Sequence, residues 1–354
     1  RSVLMEAPGE AVEELPFAYG GRPSAGRIRV EPGDFRVDEE LGFEPTGSGE
    51  HAFLFVEKVG ANTEWVAKRL AEKAGVAPMA IGYAGLKDRH AITRQSFSVH
   101  LPGRPDPDWS AFAIPGVRVL AASRHDRKLK RGAHRGNRFR IRVRDVAGDR
   151  EAIEQRLALI RERGVPNYFG EQRFGRDAGN IAQARAYFAG ERMRRNDIGL
   201  ALSAARSLLF NAVLATRVGD GSWDSALDGE VWMLAGTHSI FGPEPWSVDL
   251  ARRLAAFDID PTGPLIGAGE LRTTGRVRAL EEGTVAPYRD LADGLAGAGL
   301  VQQRRALRLR VEALAHEWEG DGALVLEFRL PAGSFATVVL RELSGERAPG
   351  PAGR

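Results

Sequence analysis

The chain has 354 residues, 43% hydrophobic and 27% charged, enough for one large or two ordinary domains with a buried core. Fifty Lys and Arg stand against 47 Asp and Glu, a net charge of +3, so overall charge selects no partner and local clusters must carry any such argument. Cysteine is absent, which excludes disulfides, thiolate nucleophiles and cysteine metal sites and fits a cytoplasmic protein, and no apolar run approaches the roughly 18 residues of a membrane span.

Residues 1–20 are rich in Ala, Glu and Pro and read as a flexible arm without the apolar core of a secretory signal. Gly26-Arg27-Ile28-Arg29-Val30 and Phe35-Arg36-Val37-Asp38-Glu39 read as short strands around the turn Glu31-Pro32-Gly33-Asp34. Phe35 stands where the chain leaves that turn, and its plain reading is core packing. His51 to Val59 is a long apolar strand. A helix follows, with Asn62 as its cap, an apolar stripe of Val66, Leu70 and Ala74, and Gly75 as its stop.

Next come two strand-like runs, Met79 to Tyr83 and Gln95 to Val99, with Lys87, Asp88, Arg89 and His90 in a row between them. A single carboxylate among three potential cations has its charged form favoured. That suits a nucleophile or a base better than a proton donor. The competing reading is a solvated hairpin tip, and the short motif alone does not choose.

Residues 124–144 hold ten basic side chains and one acidic, Asp126. Asn137-Arg138-Phe139-Arg140-Ile141-Arg142-Val143-Arg144 alternates strictly, which puts three apolar residues on one strand face and four arginines on the other. A solvated face usually mixes signs. This one does not, which favours a surface that holds phosphates. Charge alone does not separate RNA, DNA and acidic protein.

A helix is expected over Asp149 to Arg163, with Ile153, Leu157 and Ile160 inward and Gly164 as its end. Val165-Pro166-Asn167-Tyr168-Phe169-Gly170-Glu171-Gln172-Arg173-Phe174-Gly175 is too dense in aromatics and glycines for a linker. Its aromatics could stack on bases, but pinning a domain junction is the preferred reading. Ser203 reads as the cap of a further helix. Gly267-Ala268-Gly269 begins like a dinucleotide fingerprint, but Arg272 holds the third glycine position, and no cofactor is expected. Alternation over Leu307 to Ala313 and a run from Ala323 to Leu330 read as strands. A turn at Pro331 leads into a helix with Ser334 near its cap, and the tail after Ser344 reads as flexible. Strand-rich chain thus lies at both ends of a helix-rich middle, the pattern of an α+β domain with another domain inserted.

Several separated motifs resemble one family. Gly85-Leu86-Lys87-Asp88-Arg89-His90-Ala91, Gly136-Asn137-Arg138-Phe139, the run Val165 to Gly175, and Pro331-Ala332-Gly333-Ser334-Phe335-Ala336-Thr337 are similar to the TruD family of tRNA pseudouridine synthases. Glu31-Pro32-Gly33-Asp34-Phe35 and Leu202-Ser203-Ala204-Ala205-Arg206-Ser207-Leu208-Leu209-Phe210-Asn211 fit as well, with Gly33 where an acidic residue is more usual. The motifs keep the family's order from Gly26 to Leu343, whereas about 219–300 match poorly.

The resemblance implies an α+β fold: a pseudouridine-synthase catalytic domain on a mixed, largely antiparallel sheet at 21–162 and 312–345 and an inserted α/β domain specific to the family at 163–311; the flexible arm at 1–20 and tail at 346–354 are read from composition and match the family poorly. It implies isomerisation of uridine to pseudouridine in tRNA, at uridine-13 of the D-arm. Asp88 matches the catalytic aspartate, and Phe35, Asn137 and Phe335 match positions that contact the target uridine. Lys87, Arg89 and His90 are assigned electrostatic support. Arg127, Lys128, Lys130, Arg131, Arg135 and Arg138 are assigned to the RNA backbone. tRNA is the expected partner, with no metal, no membrane and no obligate protein partner.

The chemistry requires an ionised carboxylate beside the sugar and a uridine taken out of its stack. The carboxylate either adds at C1′, as the nucleophile of a retaining glycosidase does, or removes a sugar proton to give a glycal. Two other classes compete. A non-catalytic RNA-binding or RNA-folding protein on the same scaffold leaves Asp88 unused. A metal-dependent nuclease or phosphatase needs clustered ligands, and the seven histidines show no ligand spacing.

Overall fold

The structure is a computed structural model that describes residues 15–112, 114–320 and 322–346. The chain forms two compact units. One comprises Pro23–Ile153, Val311–Ala336 and the chain from Ser344; the other comprises the chain up to Arg22, Glu154–Arg310 and Thr337–Leu343.

The first unit is built on a mixed, largely antiparallel sheet. Its main path runs Glu312–Trp318, Leu324–Pro331, Gly136–Gly148, Phe35–Glu40, Ile92–His100, His51–Val59, Val117–His125. Phe35–Glu40 and Ile92–His100 pair in parallel, as do Ser24–Arg27 and Ser344–Glu346 at one edge; the other pairings are antiparallel. Glu346 is therefore in a strand, and 347–354 of the expected tail lie outside the described residues.

The alternation of the 13-residue strand Gly136–Gly148 is realised. Phe139, Ile141 and Val143 are buried, each contributing about 1.5–3 kcal/mol of burial. Phe139 sits opposite Val37 on one side and Phe328 on the other, stacking on Phe328 at 5.4 Å. Helix Thr63–Ala74 covers Leu54, Val56, Phe97 and Val99 with Val66, Leu70, Ala71 and Ala74. Its ends are as the pattern predicts: Asn62 Oδ1 accepts from the Trp65 N–H at 2.7 Å, and Gly75 takes a left-handed φ of 61°, which glycine adopts without strain. The expected strand from Met79 begins only at Ile81, because Pro78–Ala80 turn as a 3-10 helix.

The second unit centres on helix Arg195–Gly219, with helices Gly179–Phe188, Gly275–Val285 and Arg289–Gly297 and the strand Ile259–Leu265 against it. Among the described residues it is the one helix long and apolar enough to cross a membrane, but Ala204, Ala205, Leu208, Leu209, Phe210, Val213 and Leu214 on it are buried in protein. Ser203 lies well inside this helix and is not its cap. The first turns, Arg195-Asn196-Asp197, are polar, so the apolar signal starts late. A small antiparallel sheet, Ile240–Phe241, Trp232–Leu234, Ile259–Leu265, Gln303–Ala306, completes the unit.

The alternation near Leu307 is not one strand. Arg308–Leu309 pairs with Val165–Pro166 in the second unit, whereas Glu312–Trp318 pairs with Leu324–Pro331 in the first. Of the expected N-terminal arm, 1–14 lie outside the described residues. From Leu15 on the chain is packed: Leu15 is buried and Arg341 donates to the carbonyls of Leu15 and Pro16.

Candidate active site

The Lys87–His90 loop is fixed from beneath by buried polar groups. Lys58 lies at an inward position of its strand, after Ala52, Leu54 and Val56, and is fully buried. Its ammonium donates to the carbonyls of Ala61 at 2.8 Å, Asp88 at 3.1 Å and Lys87 at 3.3 Å. Burial pushes its pKa down to about 8; the Asp88 charge opposes that and the Lys87 charge adds to it. Thr63 Oγ1 accepts from the Lys87 N–H and donates to Gln95 Oε1, and Gln95 Nε2 donates to the Gly85 carbonyl. Two points of the loop backbone, at Gly85 and Lys87, are thereby tied to a helix and a central strand.

Asp88 is held on both oxygens. One accepts from Arg29 Nη2 at 2.7 Å, the other from the His90 backbone N–H at 2.8 Å. Its side chain keeps 29% of its surface open. The guanidinium that grips it comes from the segment before Phe35, outside the run Lys87, Arg89 and His90 to which electrostatic support is assigned. Successive side chains of a tight loop diverge. Lys87 turns inward to Glu39 at 2.8 Å, where both side chains are buried; Arg89 turns outward to the Gly60 carbonyl; His90 is exposed and gives only its N–H. Glu39 also accepts from the Ser96 N–H. Burial, with Lys87 nearby, holds the His134 imidazole below its ordinary value.

Arg29 reaches Asp88 because the expected strand Gly26–Val30 ends at Arg27 and Arg29 adopts a left-handed φ of 56°. Its guanidinium lies 4.3 Å from the centroid of the Phe35 ring. Phe35 is buried, edge-on to Phe139, as its core-packing reading expects, and Arg29 lies over its ring. Asn137 is buried opposite Glu39 and Leu330, and its Oδ1 has no hydrogen-bond partner. At the strand end Pro331 pairs with Gly136, and four residues on Phe335 follows the turn with 43% of its surface exposed. Register thus joins Asn137, Glu39, Lys87 and Asp88 in one chain of contacts, and puts the turn that carries Phe335 beside the start of the Asn137 strand.

The basic segment divides. Arg138 and Arg140 both pair with Glu327, Arg142 with Glu319, and Arg144 with Asp34 and Glu31. Arg138 also lines a cavity of about 190 Å³ with Arg36, Arg94, Arg140, Asp38 and Glu327, on the sheet face opposite Phe35 and Phe139. The strand face therefore mixes signs after all, because neighbouring strands bring carboxylates that the local sequence does not contain. Arg127, Lys128, Lys130, Arg131 and Arg135 are exposed. Lys128 donates to the Met79 carbonyl, Arg131 lies over the Tyr83 ring and Arg127 touches Asp126. The aromatics of Val165 to Gly175 are core: Tyr168 and Phe174 are buried and Phe169 packs edge-on against Phe210.

Sequence reasoning missed Arg29, Lys58 and Glu39 as parts of this site. Lys58 and Glu39 carried a usable signal, a charge at an inward position of an alternating strand. Arg29 carried none.

The family model for "tRNA pseudouridine synthase D (TruD)" matches residues 12–199 and 189–343. The tRNA pseudouridine synthase D of Xanthomonas axonopodis pv. citri is 52% identical over 346 residues, covering 93% of this chain and 94% of the relative. That of Methylococcus capsulatus is 51% identical over 340 residues, covering 96% of each. A crystal structure named for tRNA pseudouridine synthase D of Methanosarcina mazei superposes with a TM-score of 0.72 at 21% identity, over 96% of this chain and 98% of that one, and so shares the fold.

Proposed function

The chain belongs to the TruD family of tRNA pseudouridine synthases, and from that premise we propose that it isomerises uridine-13 of the tRNA D-arm to pseudouridine, with Asp88 as its catalytic residue. The observation that carries the assignment is the Asp88 carboxylate itself, gripped by a guanidinium on one oxygen and a backbone N–H on the other, yet still open to solvent. Both contacts are hydrogen bonds to the carboxylate oxygens that the reaction uses.

The reaction breaks the C1′–N1 bond, turns the uracil and makes a C1′–C5 bond; the C5 proton leaves to water. Asp88 acts either by adding at C1′ and later departing, or by removing a sugar proton to form a glycal. The uridine must first leave its stack. Phe335, exposed on its turn, is placed to stack on the freed base, and the unpaired Oδ1 of Asn137 suits the N3–H donor of uracil. Phe35 supports Arg29 against Asp88, and contact of its ring with the uridine requires that guanidinium to slide aside. The exposed cations from Arg127 to Arg135 hold backbone phosphates. The catalytic domain spans 21–162 and 312–345, and the inserted domain 163–311.

The test uses tRNA tritiated at C5 of uridine. Release by the parent and none by an Asp88→Asn variant that still binds tRNA is the expected result. Release by both removes Asp88 from the chemistry. No release from any tRNA favours an RNA-binding protein without catalysis, and mapping of the modified position checks uridine-13.

A further inference from the structure

The second unit contains two kinds of buried arginine. Arg217 is matched by Glu230 at 2.9 Å, Arg304 by Glu281 at 2.5 Å and Arg308 by Asp260 at 2.6 Å. Arg305 is deeply placed and Arg173 and Arg206 are half-buried, but no acidic side chain among the described residues acts on any of them. Burial lowers the pKa of all three, and Arg305, with Arg173 as a like-charged neighbour, is pushed down to about 10.

Their donors meet only neutral acceptors. Arg173 donates to Ser203 Oγ at 2.8 Å, Arg305 to Asn167 Oδ1 at 2.7 Å, and Arg206 to the carbonyls of Leu265 at 3.0 Å and Val301 at 2.5 Å. The Nε atoms of Arg206 and Arg305 are buried with no partner at all. The guanidiniums of Arg173 and Arg305 lie 5.2 and 4.2 Å from the centroid of one ring, Phe169. That ring is fixed in turn: Asn211 bonds both the N–H and the carbonyl of Phe169. Ser203, Arg206 and Phe210 recur at helical spacing on helix Arg195–Gly219, so Arg206 is on the face that Arg173 and Arg305 approach.

Like charges drawn from water without a counterion destabilise a fold, and apolar side chains of similar volume would pack around Phe169 at less cost. Cation–π contact with Phe169 offsets a part of this but neutralises no charge. An arrangement that is held rigid, spare in N–H donors and short of negative charge is complementary to an oxyanion. Planar guanidiniums suit phosphate oxygens in particular. We propose that Arg173 and Arg305 form a phosphate cradle over Phe169, with Arg206 farther along the same helix face, and that the cradle takes a backbone phosphate of the RNA substrate. The identity of that occupant rests on the tRNA reading above.

Two measurements on the full chain test it. The first compares melting temperatures in pyrophosphate and in chloride at matched ionic strength for the parent, Arg305→Gln and Arg173→Gln. Pyrophosphate raises the melting temperature of the parent, and the rise is lost or much reduced in both variants. The second follows tRNA binding between about 50 and 200 mM salt. Each variant binds about tenfold more weakly, its log–log salt slope falls by about 1, and its rate of pseudouridine formation at saturating tRNA is unchanged. Equal stabilisation by pyrophosphate in all three proteins, or an unchanged salt slope, overturns the cradle. If Arg305→Gln does not fold, Arg173→Gln decides alone. A parent that neither binds nor modifies tRNA overturns the RNA occupant together with the reading above, whereas tRNA modification with no dependence of binding on Arg173 or Arg305 overturns the cradle only.

Discussion

The two halves of the basic segment 124–144 look alike in sequence and differ in the fold. From Arg138 to Arg144 every arginine finds a carboxylate, and those of Arg138 and Arg140 come from Glu327, 189 and 187 residues away. From Lys128 to Arg135 no carboxylate among the described residues approaches Lys128, Lys130, Arg131 or Arg135 within 4.0 Å, and all four are exposed. A strand is obliged to pair with its neighbours, and pairing imports their charges. A loop has no such partners, so its charge remains available to a ligand. The strand half should therefore matter for stability and the loop half for RNA.

The largest expected effect lies in the strand half. Arg144 grips Asp34 with three contacts of 2.8–3.0 Å, and Asp34 is almost fully buried. Arg144→Ala should cost about 3 kcal/mol in denaturant unfolding while leaving tRNA affinity unchanged, because it strands a buried carboxylate. Weaker tRNA binding at intact stability would reverse the assignment. Acid should reveal the same pair. Burial pushes the Asp34 carboxyl up, but the Arg144 hydrogen bonds and the Glu31 backbone N–H outweigh it and hold the group below its ordinary value of 3.8. Its stabilisation is present above that value and is lost as pH falls through the depressed one, so the parent should lose stability there more steeply than Arg144→Ala.

Next in size is the loop half. Replacing Lys128, Lys130, Arg131 and Arg135 together by Gln should weaken tRNA binding about 100-fold near 0.1 M salt and flatten the log–log salt slope by about 3 to 4, with the melting temperature unmoved. A flat salt dependence in the parent would break the comparison outright. A milder effect concerns pH. Burial, and to a smaller degree the nearby charges of His100 on His51 and Lys87 on His134, holds both imidazoles below 6.5. The unfolded chain then takes up protons first, so stability should decline as pH falls below about 6.5, and His134→Gln should remove part of that slope in melts across pH. The smallest effect is expected for Arg140→Ala. Its pair with Glu327 is half exposed, and the variant should lose at most about 1 kcal/mol.

The candidate active site divides along a similar line. The motif around Asp88 stands out in the sequence because it is local, a row of ionisable residues between two apolar strands. Its electrostatic partner does not, because Arg29 lies 59 residues earlier and reaches Asp88 only through a left-handed turn. The three neighbours that the sequence offered as partners are scattered by the loop, one into the core, one to a carbonyl and one to solvent. Phe35 is core, as its plain reading expects, and the structure adds a contact the sequence did not offer, the Arg29 guanidinium over its ring. Ser203 was misplaced because a polar first turn hides a helix start, and its position inside the helix is what lets it meet Arg173.

By itself the sequence determined the elements, since period-two alternation, an Asn cap and a Gly stop act within a few residues of each other. It also determined the family, through motifs kept in order along the chain. Only the tertiary structure decided which charges are spent and which are left over. Strand register and chain reversals bring together groups tens to hundreds of residues apart, so Arg138 to Arg144 are neutralised while Arg173 and Arg305 meet at one ring without a counter-charge. Electrostatic energy depends on distance through space, and the order of residues along a chain fixes that distance only once the fold has closed.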